Sequence, residues 1–158
     1  MLKASFSSYK VTNLLPGEAY GITLMSKTGD RFTRNPVMEN VMTAPSKVSS
    51  FNLDKVETNN AVVSWLRPEK NHSRLKAFNF IVTSSDGKYK GEFAVKNNAD
   101  KTVETFKFVD LESATEYTAT IKTVCVFEHL RTVSEEVPLT FCTLPEPPTN
   151  LSLEARWK

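Results

Sequence analysis

Glycine is scarce in this chain, with 5 residues in 158, and proline reaches only 8. Collagen-like and low-complexity architectures need far more of both, so neither fits. Cysteine and histidine are almost absent: Cys125, Cys142, His72 and His129 are the only ones. They form no close C-x2-C type of pair, so no metal and no other cofactor is expected. Cys125 and His129 lie four residues apart. In an extended strand that is ~13 Å at about 3.3 Å per residue, too far for a nucleophile and its base, and no catalytic residue is expected. One-sided charge is lacking too. With 20 basic against 18 acidic residues, no concentrated basic stripe marks a nucleic-acid surface. No apolar run approaches the roughly 20 residues that span a bilayer. Met1-Leu2-Lys3-Ala4-Ser5-Phe6 contains no apolar stretch of the signal-peptide kind. Helical periodicity is also missing, because no stretch sustains an i, i+3, i+4 apolar stripe.

What the chain does have is a globular balance of 40% hydrophobic and 24% charged residues, arranged in short β-prone runs. Ala61-Val62-Val63-Ser64-Trp65-Leu66 is one, closed by Pro68. Phe78-Asn79-Phe80-Ile81-Val82-Thr83 is another, ended by the turn signal Ser85-Asp86-Gly87. Thr105–Val109 and Tyr117–Thr123 alternate with period two, which puts the apolar set of each on one face of a half-buried strand. Short strands at intervals of roughly 8–12 residues are the pattern of an all-β sandwich or barrel.

The chain also repeats itself. Leu14-Leu15-Pro16-Gly17-Glu18-Ala19-Tyr20 aligns with Leu111-Glu112-Ser113-Ala114-Thr115-Glu116-Tyr117 at an offset of 97. Thr43-Ala44-Pro45 aligns with Thr143-Leu144-Pro145 at an offset of 100. Two separate segments sharing nearly one offset imply a repeat of about one domain length. The boundaries expected from this are a late part of one repeat in 1–44, a complete repeat in 45–145, and the first strand of a third in 146–158. Pro145-Glu146-Pro147-Pro148 reads as a stiff, extended hinge.

These residues resemble the fibronectin type III family. Trp65 stands where that family has a second-strand core tryptophan. Leu111 and Tyr117, like Leu14 and Tyr20, match its Leu six residues before a corner Tyr, whose hydroxyl pins the corner to nearby backbone. An immunoglobulin domain would carry Cys two residues after that Tyr, where this chain has Ala119 and Ile22. The resemblance implies tandem, immunoglobulin-like, antiparallel seven-stranded β-sandwiches, the first and last copies incomplete. In the complete copy it implies strands over 48–53, 61–66, 77–84, 91–96, 103–109, 117–127 and 137–143. A BC loop would then span 68–76 and an FG loop 128–136. The segment Leu15–Leu24 is further similar to receptor-type tyrosine phosphatases with long arrays of such repeats, whose catalysis resides in a separate domain.

Candidate sites are few. Asn71-His72-Ser73 and Asn150-Leu151-Ser152 fit the N-glycosylation acceptor pattern, so Asn71 and Asn150 are candidate glycan sites. In the FG loop, His129, Leu130 and Arg131 combine apolar and charged character suited to protein contact. The basic residues Lys70, Arg74 and Lys76, and Lys88 and Lys90, have acidic neighbours such as Asp86 and Glu92 and read as solvated surface. The family's integrin-binding Arg-Gly-Asp is missing; Gly29-Asp30-Arg31 has another order. With an F–G hairpin centred near residue 131, Cys125 faces the region of 137 and Cys142 that of 120, so no disulfide joins them.

Residues 1–44 supply only late strands, so Leu14, Tyr20, Ile22 and Leu24 are expected to face an uncovered side, and the product to extend further in both directions. The function expected is a non-catalytic protein-binding or spacer module in the ectodomain of a cell-surface receptor or adhesion protein. Its partner is then a protein ligand, and the full-length product is membrane-anchored. A repeat from an intracellular cytoskeletal or muscle scaffold, located in the cytoplasm, and an accessory repeat of a secreted enzyme remain the alternatives.

Overall fold

A computed structural model describes residues 8–69 and 74–149. Among these residues twelve strands form in chain order: β1 Ala19–Leu24, β2 Lys27–Thr28, β3 Arg31–Phe32, β4 Val37–Met42, β5 Ser49–Val56, β6 Ala61–Leu66, β7 Leu75–Ser84, β8 Lys90–Lys96, β9 Val103–Phe108, β10 Glu116–Phe127, β11 Leu130–Val133 and β12 Val137–Cys142. Among the described residues there is no helix. The fold is all-β.

Strands β5 to β12 make a sandwich of two antiparallel sheets. One sheet runs β5-β6-β9. The other runs β8-β7-β10, with β11 and β12 both along the far side of β10. The two inner faces come together because each strand alternates. In β10, Tyr117, Ala119, Ile121, Thr123 and Cys125 are buried. In β7, Phe78, Phe80 and Val82 are. Trp65 on β6 lies at the centre, fully buried, with its ring edge-on to Phe78 and Phe80 at 5.1 Å each. Each large apolar side chain buried this way stabilises the fold by about 1.5–3 kcal/mol. Trp65 Nε1 is buried without a hydrogen-bond partner among the described residues, so its stacking outweighs an unmade bond that costs ~1–3 kcal/mol.

Strand positions expected from the sequence hold to within a few residues. The unexpected element is β11, inside the expected 128–136 loop. It is separated from β12 by 134–136, where Ser134 turns inward: its hydroxyl accepts the Thr123 N–H at 3.0 Å while its own N–H donates to Thr123 O. The expected loop over 128–136 therefore contains a strand at 130–133. The chain reverses in two residues, Glu128 and His129, with Glu128 at φ 52°, and Leu130 pairs directly with Phe127.

The hairpin register also differs from the expected centre near 131. Cys125 lies opposite Thr132 and Cys142 opposite Glu116. The two thiols are nine register positions apart along β10, and both are free.

Ahead of the sandwich, β1 and β4 form an antiparallel ladder and β2 and β3 a small ribbon. Ile22 and Leu24 on β1 are 39% and 63% exposed. Their equivalents at the offset of 97, Ala119 and Ile121, are fully buried.

Candidate interaction surface

Three pieces of geometry define what this chain presents. The first is the corner before β10. The backbone turns through left-handed conformations at Asp110 (φ 57°) and Ala114 (φ 49°). The Tyr117 hydroxyl accepts the Glu112 N–H at 2.8 Å, which is the pinning role expected for it. Thr143, at the end of β12, closes the corner: its hydroxyl donates to Glu112 O at 2.6 Å and accepts the Thr115 N–H at 3.0 Å.

The same construction stands before β1. Asn13 and Gly17 take φ 63° and 68°. The Tyr20 hydroxyl accepts the Leu15 N–H at 2.7 Å. The Thr43 hydroxyl donates to Leu15 O at 2.6 Å and accepts the Glu18 N–H at 3.1 Å. Strand register agrees as well: Ala19 pairs with Met42 as Glu116 pairs with Cys142.

The second piece is the contact between this first corner and the sandwich. Arg74, at the foot of β7, places its Nε 3.2 Å from Glu18 Oε2, with both side chains about three-quarters buried. Its guanidinium lies over the Phe127 ring at 4.1 Å. This corrects the reading of Arg74 as solvated charge. An aromatic face and a carboxylate take the place of solvent around the guanidinium, while its Nη1 is buried with no hydrogen-bond partner among the described residues. Thr132 Oγ1 donates to Thr43 O at 3.0 Å, and Thr123 Oγ1 to Ser46 O at 2.8 Å. Cys125 sits beneath Gly17. Burial pushes its thiol pKa up, and the nearby Glu18 carboxylate adds to the rise.

The third piece is a shallow groove of about 390 Å³ on the outer face of the larger sheet, floored by Ile81, Ala94 and Val133 and edged by Glu92, Lys122 and Arg131. Lys122 pairs with Glu136 at 2.8 Å, whereas Arg131 has no ion-pair partner among the described residues. Of the three hairpin candidates, only Arg131 reaches this groove. His129 is exposed at the hairpin tip and Leu130 is half-buried in β11. As expected, Lys88 and Lys90 lie on the surface beside Asp86 and Glu92. Asn71 and Asn150 lie outside the described residues, as do Lys70 and His72. Among the described residues no group of acidic, Cys and His side chains is placed to hold a metal.

The family model of the fibronectin type III domain matches residues 44–136. The chain belongs to the fibronectin type III family. The match stops just short of β12, the strand that completes the larger sheet in this fibronectin type III domain. No curated protein sequence matches the chain. Among solved structures, a two-domain fibronectin type III segment from chicken tenascin is similar, with a TM-score of 0.58 and 22% identity, over 79% of this chain and 65% of that one. Domains d3–d4 of the rat CD45 extracellular region align with a TM-score of 0.51 and 17% identity, over 90% of this chain and 73% of that one. A structure described as a myokine aligns at 0.51 and 22%, over 65% of this chain and all of its own. At these identities the likeness concerns the fold.

The residues that sequence reasoning missed are Glu18, Phe127, Thr132 and Ser134. The match of Thr43 with Thr143 was visible, but as a mark of the repeat and its boundaries, not of a corner-closing role. For the others no local signal exists, since each acts on a residue distant in sequence.

Proposed function

We propose that this chain is a non-catalytic protein-binding and spacer module from the ectodomain of a cell-surface receptor or adhesion protein, built from tandem fibronectin type III repeats. Residues 1–44 are the C-terminal half of one repeat. Residues 45–145 are a complete repeat, seven-stranded when β11 and β12 are counted as one interrupted strand. Residues 146–158 begin the next. The full-length product is membrane-anchored, and its partner is a protein ligand.

The observation that carries this reading is the duplicated corner. The three hydrogen bonds that Tyr117 and Thr143 make are made again by Tyr20 and Thr43, with the same strand register. The exposed Ile22 and Leu24 are where a complete repeat buries Ala119 and Ile121. The groove around Ile81 and Arg131, with an apolar floor and charged rim, has the make-up of a modest protein contact. The tenascin and CD45 structures supply examples of such units in series and in an extracellular region.

The test is the intact mass of the native protein from its own cells, before and after a glycan-removing amidase. A loss mapping to Asn71 supports the ectodomain. Bare Asn71 and Asn150 together with two reduced cysteines favour the cytoplasmic scaffold, since free thiols suit a reducing compartment.

A further inference from the structure

We propose that the surface formed by Arg74, Phe127, Thr132 and Cys125 is a docking face for the corner of residues 15–18, and that it locks the junction at Pro45 so that both units turn as one body. This stands whether or not residues 1–44 belong to a larger domain.

A flexible junction leaves its linker solvated and its neighbours free to rotate. Here the short linker between β4 and β5 is held on both sides of Pro45, by Thr132 at Thr43 O and by Thr123 at Ser46 O. Beside it, Arg74 is fixed three ways. Its backbone carbonyl accepts the Val126 N–H at 3.1 Å, its guanidinium covers Phe127, and its Nε meets Glu18. Because the arginine is already held by the sandwich, little further side-chain freedom is lost when Glu18 arrives.

Gly17 carries an independent sign of the contact. A Cβ there would come within 3.3 Å of Cys125 Sγ and 3.5 Å of the Pro45 side chain. The equivalent corner position is Ala114, which holds its own Cβ at φ 49°. The corner conformation therefore tolerates alanine; close approach to Cys125 is the added demand at position 17. The residue equivalent to Glu18 is Thr115, so the carboxylate half of the lock has no counterpart at the corner of the second unit.

Nitrogen-15 relaxation of the whole chain reads the lock directly. Amides of β1 and β4 are expected to share one rotational correlation time with those of β6 and β10, and Glu18→Ala is expected to shorten the former alone. Thiol labelling gives a second reading, with exposed Cys142 as internal reference. In the native chain Cys125 is protected while Cys142 reacts. Thr132→Val leaves the charges around Cys125 unaltered and is expected to speed Cys125 labelling by about fivefold or more, equivalent to ~1 kcal/mol of lost closure, with the urea midpoint unchanged. Separate correlation times in the native chain, or Cys125 labelling as fast as Cys142, overturn the proposal. So does an unaltered correlation time in Glu18→Ala together with an unaltered labelling rate in Thr132→Val.

Discussion

Thr43 and Thr143 stand 100 residues apart in the chain, and each closes a corner by donating its hydroxyl to a carbonyl at 2.6 Å, Leu15 O in one case and Glu112 O in the other. The bonds are alike but their surroundings are not. Thr143 is buried against the sandwich core, whereas Thr43 is only half-buried.

That contrast sets an unequal cost for the same substitution. Thr143→Val removes the partner of the Thr115 N–H and of Glu112 O in a part-buried corner beneath a buried side chain and is expected to lower stability by about 1–3 kcal/mol in urea unfolding. Thr43→Val leaves Leu15 O within reach of solvent. Its expected effect is about 0.5 kcal/mol, read as faster exchange of the Glu18 amide. Equal costs at the two sites would contradict the burial difference.

Trp65→Ala tests the centre of the core. The ring fills the space between Phe78 and Phe80, so its removal is expected to cost about 3–5 kcal/mol. For a domain of ordinary stability, roughly 5–15 kcal/mol, the urea midpoint should fall by a large fraction. This residue was legible from the sequence through the resemblance to the fibronectin type III family, whose second-strand core tryptophan it matches.

The turn between β7 and β8 carries a pH signature. Asp86 accepts hydrogen bonds from the Ser84 hydroxyl at 2.6 Å and from the Lys88 N–H at 3.1 Å, and it pairs with the Lys88 ammonium. The Ser84 bond first, then those from Lys88, hold its carboxyl far below the usual carboxylate range. A folded value below the unfolded one means the contribution is complete above the unfolded value and is lost as pH falls through the folded one. Carboxyl carbon shifts of Asp86 should thus stay flat through pH 4 and titrate only in stronger acid. Ser84→Ala should move that midpoint upward. A midpoint at the ordinary aspartate value in the native chain would mean that these bonds do not persist in solution.

Arg67 organises the connection from β8 to β9. Its Nη1 lies 2.8 Å from Ala99 O, 3.1 Å from Lys101 O and 3.3 Å from Asn98 O. Arg67→Ala is expected to raise amide exchange across residues 97–102 by about tenfold, as removal of charge-assisted bonds worth ~1.5 kcal/mol implies, while β6 and β10 keep their protection.

The amino-acid sequence by itself determined the all-β class, the strand positions, the corner at Leu111 and Tyr117, and its echo at Leu14 and Tyr20. The class rests on period-two alternation, a local property of extended backbone, while the full set of strand bounds and the corner role of the Leu–Tyr spacing rest on the resemblance to the family. Tertiary structure decided the rest. Arg74 looks like surface charge in a string of polar residues, and only the arrival of Glu18, 56 positions earlier, makes it an anchor. The expected FG loop became a tight hairpin and a broken strand because Ser134 found Thr123 across the sheet. Thr132 gained its partner from Thr43, 89 residues away. Such contacts depend on where two sheets and a corner come to rest in space, and no pattern along the chain encodes that distance.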